Sequence, residues 1–287
     1  MNEIKAILVT NDDGVNAPGL LALAQEMRKI AKVLILAPDR NWSGSGHVKT
    51  LDRPLRVKEV VLADGTSAFA SDGAPSDCVA LALLGFFDEK IDLVVSGINP
   101  MPNFGHDVTY SGTVTAAMEA LIWETPGIAF SLGTNETHRE PLSYFAAARI
   151  ANQIVEKAIE RHLQSDYLLN VNIPYLPPEE IKGIRITRQG LRVYRDRLDR
   201  RMDPRGRPYF WIGGDAPTGV PEVGTDIGAL SEGYVSINPI QLDLTMYTAI
   251  PALGNWDWKM PGDGPVGINV NLMLTTPSLD LNSQMRK

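Results

Sequence analysis

Five short apolar-rich runs, separated by segments of helical spacing or by polar loops, limit what this 287-residue chain can fold into. They are Ile4 to Thr10, Val33 to Ala37, Ile91 to Ser96, Ile128 to Leu132 and Leu168 to Ile173. Strands covered on both faces read as apolar runs, and such strands belong to parallel sheets. Between them, apolar residues recur every three or four positions in Pro18 to Ala31, Ser76 to Phe87, Thr113 to Trp123 and Pro141 to Arg161. Pro18 suits a first helical turn, and Ser76 is placed to cap the second helix. Strand–helix alternation of this kind predicts an α/β fold: a Rossmann-like, mostly parallel sheet with helices on both faces.

After Pro174 the pattern changes. Ile184 to Thr187, Leu191 to Tyr194, Tyr209 to Ile212 and Tyr234 to Pro239 read as short strands, and Pro177-Pro178 breaks the chain before them. The charged run Asp196 to Asp203 is expected between hairpin arms, and Gly213-Gly214 is expected to turn the chain. The organisation expected is a catalytic core over 1–179, then a C-terminal β-hairpin-rich arm over 180–260 with exposed aromatics that serves oligomerisation. A segment over 261–287 returns towards the core, with a tail expected to be flexible.

A formal net charge of -7 argues against a general nucleic-acid surface, which needs a basic footprint. One cysteine, Cys78, excludes an intramolecular disulfide and fits a reducing compartment. No apolar run approaches the roughly 18 residues needed to cross a bilayer, and no signal-peptide pattern opens the chain. The expectation is a cytoplasmic protein that meets neither membrane nor nucleic-acid polymer.

Chemistry is concentrated at strand ends. Ile7-Leu8-Val9-Thr10 runs directly into Asn11-Asp12-Asp13-Gly14. In an open α/β sheet, ligands sit at the carboxyl ends of the strands. Two adjacent carboxylates there repel each other and resist desolvation unless a cation lies between them. The simpler alternative is that one acid caps the next helix while the other faces water. The second strand end offers Asp39, Asn41 and Ser43, and the third Ser96 and Asn99. Carboxylate, hydroxyl and amide oxygens suit Mg²⁺, Mn²⁺ or Ca²⁺. The four histidines, His47, His106, His138 and His162, lack the paired spacing of a zinc site.

A second constellation is Tyr110-Ser111-Gly112-Thr113-Val114 at a helix start. Unpaired N–H groups, two hydroxyls and the positive end of the helix dipole make a phosphate cradle there. An ordinary N-cap by Ser111 or Thr113 is the plain alternative. A Walker loop is excluded, because the Gly-Lys-Ser/Thr ending is missing.

Asn11-Asp12-Asp13-Gly14, Ala37-Pro38-Asp39-Arg40-Asn41 with Ser43-Gly44, Ser96-Gly97-Ile98-Asn99 and Tyr110 to Val114 occur in that order. Together they resemble the survival protein E family of metal-dependent 5'-nucleotidases. Ser76 to Val79, Leu169 to Asn172, Thr187 to Gly190, Tyr234 to Ser236 and Gln241 to Thr245 extend the match, which covers residues 4 to 248. The resemblance implies that Asp12, Asp13, Ser43 and Asn99 hold one divalent cation per subunit, Mg²⁺ or Mn²⁺. It places Ser111, Gly112 and Thr113 at the substrate phosphate, and Asn103 is counted with them. It also implies that the C-terminal hairpins exchange between subunits, giving a homodimer or homotetramer. Three positions depart from the family pattern: Trp42 stands where arginine is usual, Met101 where glycine is usual, and Ala120 where a helix glycine is common. Trp42 removes a positive charge near the phosphate and offers a flat face for a base.

The reading is hydrolysis of nucleoside monophosphates, a phosphoric monoester hydrolysis, with Asp12 and Asp13 catalytic and a cation-activated water attacking. One rival is an aspartyl-phosphate phosphatase, although its motif spaces the two acids by one residue, whereas Asp12 and Asp13 are adjacent. The other rival is a catalytically weak module that binds nucleotide or metal.

Overall fold

The computed structural model describes residues 4–134, 138 and 140–256, excepting the side chains of 215–217. The chain runs β1 (Ala6–Thr10), α1 (Pro18–Met27), β2 (Lys32–Pro38), β3 (Val57–Val61), β4 (Ser67–Ser71), α2 (Pro75–Leu81) and β5 (Leu93–Asn99). It continues with α3 (Gly112–Ile122), β6 (Gly127–Gly133), α4 (Phe145–Glu160), β7 (Leu168–Pro174), β8 (Ile184–Ile186), β9 (Arg192–Met202), β10 (Pro208–Gly219), α5 (Asp226–Ser231) and β11 (Val235–Ile240). A nine-stranded sheet has the order β3-β4-β2-β1-β5-β6-β7-β11-β8. The pairs from β4 through β2, β1, β5 and β6 to β7 are parallel, whereas β3 and β11 run antiparallel to β4 and β7. The expected mostly parallel α/β sheet is what forms.

β1 explains how the layers assemble. Successive strand residues point to opposite faces. Ile7 and Val9 enter one core with Leu20, Leu23 and Met27 of α1 and with Ala147, Ala151 and Val155 of α4. Ala6 and Leu8 enter another with Cys78 and Val79 of α2 and with Ala116 and Ala120 of α3. Alanine at those α3 positions lets the helix lie close to the sheet, and Ala120 is fully buried there.

β1 lies between β2 and β5, each paired to it in parallel. The connection after β1 leads to one side and the later chain returns on the other, so the β1/β5 edge is the switch point where open sheets form a crevice. The loops 11–17, 39–56 and 100–111 leave that end of the sheet.

Several local expectations are corrected. The helix after Gly73 is capped at Ala74, not Ser76: Pro75 occupies its first turn and Asp77 Oδ2 accepts from Ala74 N at 2.9 Å. The long helix begins at Phe145 rather than at Pro141. Residues 196–202 form most of β9, paired with β10 from Arg192↔Gly219 to Met202↔Pro208. The hairpin turns at Asp203 to Arg207, where Asp203 Oδ1 accepts from Arg205 N and Arg207 N at 2.8 and 2.9 Å. Gly213-Gly214 lies inside β10 instead. A Cβ on Gly214 would stand 2.3 Å from Arg195 O, so the glycine permits a close backbone approach rather than a turn.

Within the region 180–260, β8 and β11 join the large sheet, whereas β9 and β10 form a separate two-stranded pair. Leu198, Met202, Phe210, Trp211 and Ile212 are exposed on that pair. Gln241–Lys287 is a second unit, in which residues 241–256 are described. It holds a 3₁₀ turn at Tyr247–Ala249 and the helix α6 (Ile250–Gly254). Residues 261–287 lie outside the described residues. Among the described residues, no helix is long and apolar enough to cross a membrane.

Candidate active site

The loop after β1 is closed by Asn11, whose side chain donates to Gly14 O at 3.0 Å and accepts from Gly14 N at 3.2 Å. Gly14 sits at φ +104°, and a Cβ there would press on the Arg40 backbone at 3.2 Å. This tight loop holds both acids in place. Asp12 is 3% exposed. Burial pushes its carboxyl up, and hydrogen bonds from the Thr113 side chain and from the Asp12, Thr113 and Gly112 backbone oppose that rise. Asp13, partly buried, is pushed up to about 7 by burial and then by the charge on Asp12. Neither acid has a Lys or Arg ion pair among the described residues. Two desolvated carboxylates without a cation are unfavourable unless a ligand supplies the positive charge.

The neutral oxygens come from neighbouring strand ends. Ser43 follows β2, and its N–H donates to Asn41 Oδ1 at 2.6 Å, an Asx turn that sets the loop. Asn99 closes β5. Its Nδ2 donates to Met101 O at 2.6 Å, which leaves Oδ1 as the free end of the amide. Met101 thus acts through its carbonyl, so a side chain in place of the usual glycine does not disturb this contact. Asp12, Ser43, Asn99, Asn103 and Ser111 all line one cleft of about 290 Å³. Asp13, Gly112 and Thr113 are not on that lining. Among the described residues, no group of three or more His, Cys, Asp or Glu side chains gathers to hold a metal. The donors present are therefore two carboxylates with hydroxyl and amide oxygens, a set that fits a hard cation such as Mg²⁺ or Mn²⁺ and not zinc.

The start of α3 combines both readings of its sequence. Ser111 caps the helix, accepting from Val114 N at 3.1 Å. Thr113 Oγ1 donates to Asp12 Oδ1 at 2.5 Å. A Cβ on Gly112 would stand 2.6 Å from Asp12 Cβ, so only glycine lets the helix end reach the acid. Two of the three cradle residues thus attend Asp12, and Ser111 faces the cleft. Asn103 is nearly buried; its Nδ2 donates to Ser131 Oγ at 2.8 Å, and its carbonyl accepts from Asn170 and Asn172 at 2.8 and 2.9 Å.

The loop 43–50 is anchored from below. Glu119 of α3 is 2% exposed and pairs with His47 Nε2 at 2.8 Å and Lys49 Nζ at 3.1 Å, while Trp123 Nε1 donates to it at 2.9 Å. Burial alone would raise Glu119, but these hydrogen bonds outweigh it and hold the carboxyl down at about 2. Thr50 donates to Asp77 through its N–H at 2.9 Å and its hydroxyl at 2.7 Å. Trp42 donates its backbone N–H to Asp12 O at 2.7 Å, and its ring lies under Arg40 at 4.7 Å. Cys78 is buried and burial pushes its thiol far up, so it is no nucleophile.

Sequence reasoning missed Asp107, Arg192 and Asp226. Asp107 pairs with Arg192 Nε at 2.6 Å, and Tyr194 donates its hydroxyl to the same carboxylate. Asp226, fully buried, accepts from Gly105 N, Gly190 N and Ile227 N at 2.9, 2.7 and 2.8 Å. A buried carboxylate that collects three backbone N–H groups ties the loop after β5 to the segment leading into β9. Thr225 before it, a cap that accepts from Gly228 N at 3.0 Å, was the available signal for α5.

Fold and site together define an α/β protein with an acidic, oxygen-lined cleft at its switch point and a helix N-terminus beside it. The chain belongs to the survival protein SurE family, whose model matches residues 7–196. It is 50% identical over 254 residues to the 5'-nucleotidase SurE of Chloroflexus aggregans, covering 88% of this chain and 99% of that protein. It is 50% identical over 253 residues to the 5'-nucleotidase SurE of Herpetosiphon aurantiacus, covering 88% and 98% respectively. The crystal structure of the SurE protein from Aquifex aeolicus superposes with a TM-score of 0.73 at 40% identity, covering 86% of this chain and 98% of that one.

Proposed function

We propose that this protein is a metal-dependent 5'-nucleotidase, releasing phosphate from nucleoside monophosphates. The observation that carries the reading is the buried Asp12 in a cleft shared with Ser43, Asn99 and Ser111, with Asp13 next to it in the chain but off that lining. The relatives named 5'-nucleotidase SurE support it. Asp12, Asp13, Ser43 and the Oδ1 of Asn99 would hold one Mg²⁺ or Mn²⁺. Bound there, the cation supplies Lewis-acid polarisation of the phosphoryl group and a lowered pKa for water.

The remaining work belongs to the chain. Thr113 and the α3 N-terminus keep Asp12 oriented and favour its ionised form. Ser111 offers a hydroxyl at the cleft, and the helix dipole there favours an anionic phosphate. Adjacent acids, rather than the one-residue spacing of aspartyl-phosphate enzymes, favour water as the nucleophile, with Asp12 or Asp13 accepting its proton. The exposed apolar residues of the β9–β10 pair support its role as the oligomerisation arm of a homodimer or homotetramer. Phosphate release from a panel of nucleoside 5'-monophosphates with added Mg²⁺ or Mn²⁺ tests the reading. Release from one or more is expected, and release from none overturns it.

A further inference from the structure

The cleft has one property that its acids and neutral oxygens do not explain. Its lining includes a basic side chain, Arg192, which comes from the first residue of β9, far along the chain. The side chain is 11% exposed, so its charge is largely removed from water. Nε lies 2.6 Å from Asp107 Oδ2. The guanidinium carbon stands 4.9 Å from the centre of the Phe104 ring. Tyr194 donates to the other oxygen of Asp107, so both carboxylate oxygens are in use and the fork cannot swing freely about its partner. Nε makes this contact without hydrogen-bond geometry, and no hydrogen bond from an Nη group to a described residue accompanies it, so the fork keeps N–H groups for a ligand.

The neighbourhood is braced. Gln189 Nε2 donates to Gly105 O at 3.1 Å, and Asp226 joins Gly105 N to Gly190 N. A Cβ on Gly105 would meet Gly190 O at 2.6 Å, so the two segments touch backbone to backbone. A desolvated guanidinium, fixed by a carboxylate on one edge and an aromatic face, is preorganised to bind the planar edge of an oxyanion. A solvated surface arginine would lack all three constraints.

We propose that Arg192 is a substrate-binding residue of this cleft, taking non-bridging phosphate oxygens through its Nη groups, and that Asp107 is its positioning residue. The inference rests on the phosphatase reading above. It also places the root of the arm at the substrate, because the residue that binds phosphate opens β9.

The experiment measures inorganic phosphate binding by calorimetry in the presence of Mg²⁺, together with KM for a nucleoside monophosphate, on the full chain and Arg192→Gln. Phosphate affinity is expected to fall, and KM to rise, by about tenfold or more, the scale of one charge-assisted hydrogen bond. Affinity for Mg²⁺ alone is expected to stay within about twofold, which loss of the fold would not allow. Phosphate affinity within about twofold of the unmodified protein overturns the proposal. If Arg192→Gln does not fold, Arg192→Lys serves: it keeps the charge but loses the fork, so weaker phosphate binding is expected and equal binding overturns the proposal. Arg192-dependent phosphate binding without nucleotide hydrolysis would overturn the nucleotidase reading and uphold this one. Hydrolysis indifferent to Arg192 would do the reverse.

Discussion

Thr113 donates a hydrogen bond from its hydroxyl to Oδ1 of Asp12 at 2.5 Å, joining the first turn of α3 to the end of β1. The contact fixes which face of the carboxylate turns to the cleft and favours its ionised form against the cost of burial. Thr113→Val keeps the shape and removes the donor. A hydrogen bond to a charged group is worth about 1.5–3 kcal/mol, so affinity for Mg²⁺ is expected to drop roughly tenfold or more. Titration calorimetry reads it, and unchanged affinity would show that Thr113 merely packs.

Chelation makes a separate demand on the donor set. Dialysis against EDTA is expected to remove phosphatase activity, and Mg²⁺ or Mn²⁺ to restore it. Zn²⁺ is expected to restore it less well, because neither histidine nor cysteine is among the residues lining the cleft. Activity indifferent to EDTA would contradict the oxygen-ligand site.

Glu119 contributes to the acid limb of stability. Its carboxyl is held at about 2, below its ordinary 4.5, so its contribution is present above pH 4.5 and is lost as pH falls through 2. Glu119→Gln leaves Lys49 and His47 without their buried partner and is expected to cost about 2 kcal/mol at pH 7. The deficit should shrink between pH 4.5 and 2, measured by denaturant unfolding at each pH. A deficit independent of pH would mean that the network holds through shape alone.

The β9–β10 pair exposes Leu198, Phe210 and Ile212 on one face and Trp211 on the other, apolar area that a lone subunit would leave in water. Sedimentation of the full chain at micromolar concentration is expected to show a dimer or tetramer. Trp211→Asp with Ile212→Asp is expected to lower that order, and a monomeric full chain would refute the arm's role.

The parts of this molecule that sequence makes visible are those in which one residue type can have only one environment. β1, β2, β5 and β6 are buried on both faces, so their apolar runs announce them. β3, with Val57, Lys58, Glu59 and Val60, lies at the sheet edge and carries solvent-facing charges, so no apolar run marks it. The signal it did carry was Asp64-Gly65, with Gly65 at φ +83°, between two alternating segments. Only the start of β9, within Leu191 to Tyr194, is legible; its exposed remainder becomes a strand because β10 pairs with it. Asp12, Ser43 and Asn99 stand at strand ends and could be read in order. Arg192 could not, since nothing local says that the first residue of β9 folds back onto Asp107, 85 positions earlier (192 − 107).

The central claim is that the two acids after β1 are the anionic half of the catalytic site. Asp12→Asn and Asp13→Asn, each assayed for phosphate release from nucleoside 5'-monophosphates alongside a thermal melt, test it most directly. Each variant is expected to keep its fold and to lose more than about nine-tenths of the rate, a barrier increase above roughly 1.4 kcal/mol. Folded variants that both keep more than about a tenth of the rate would contradict the account.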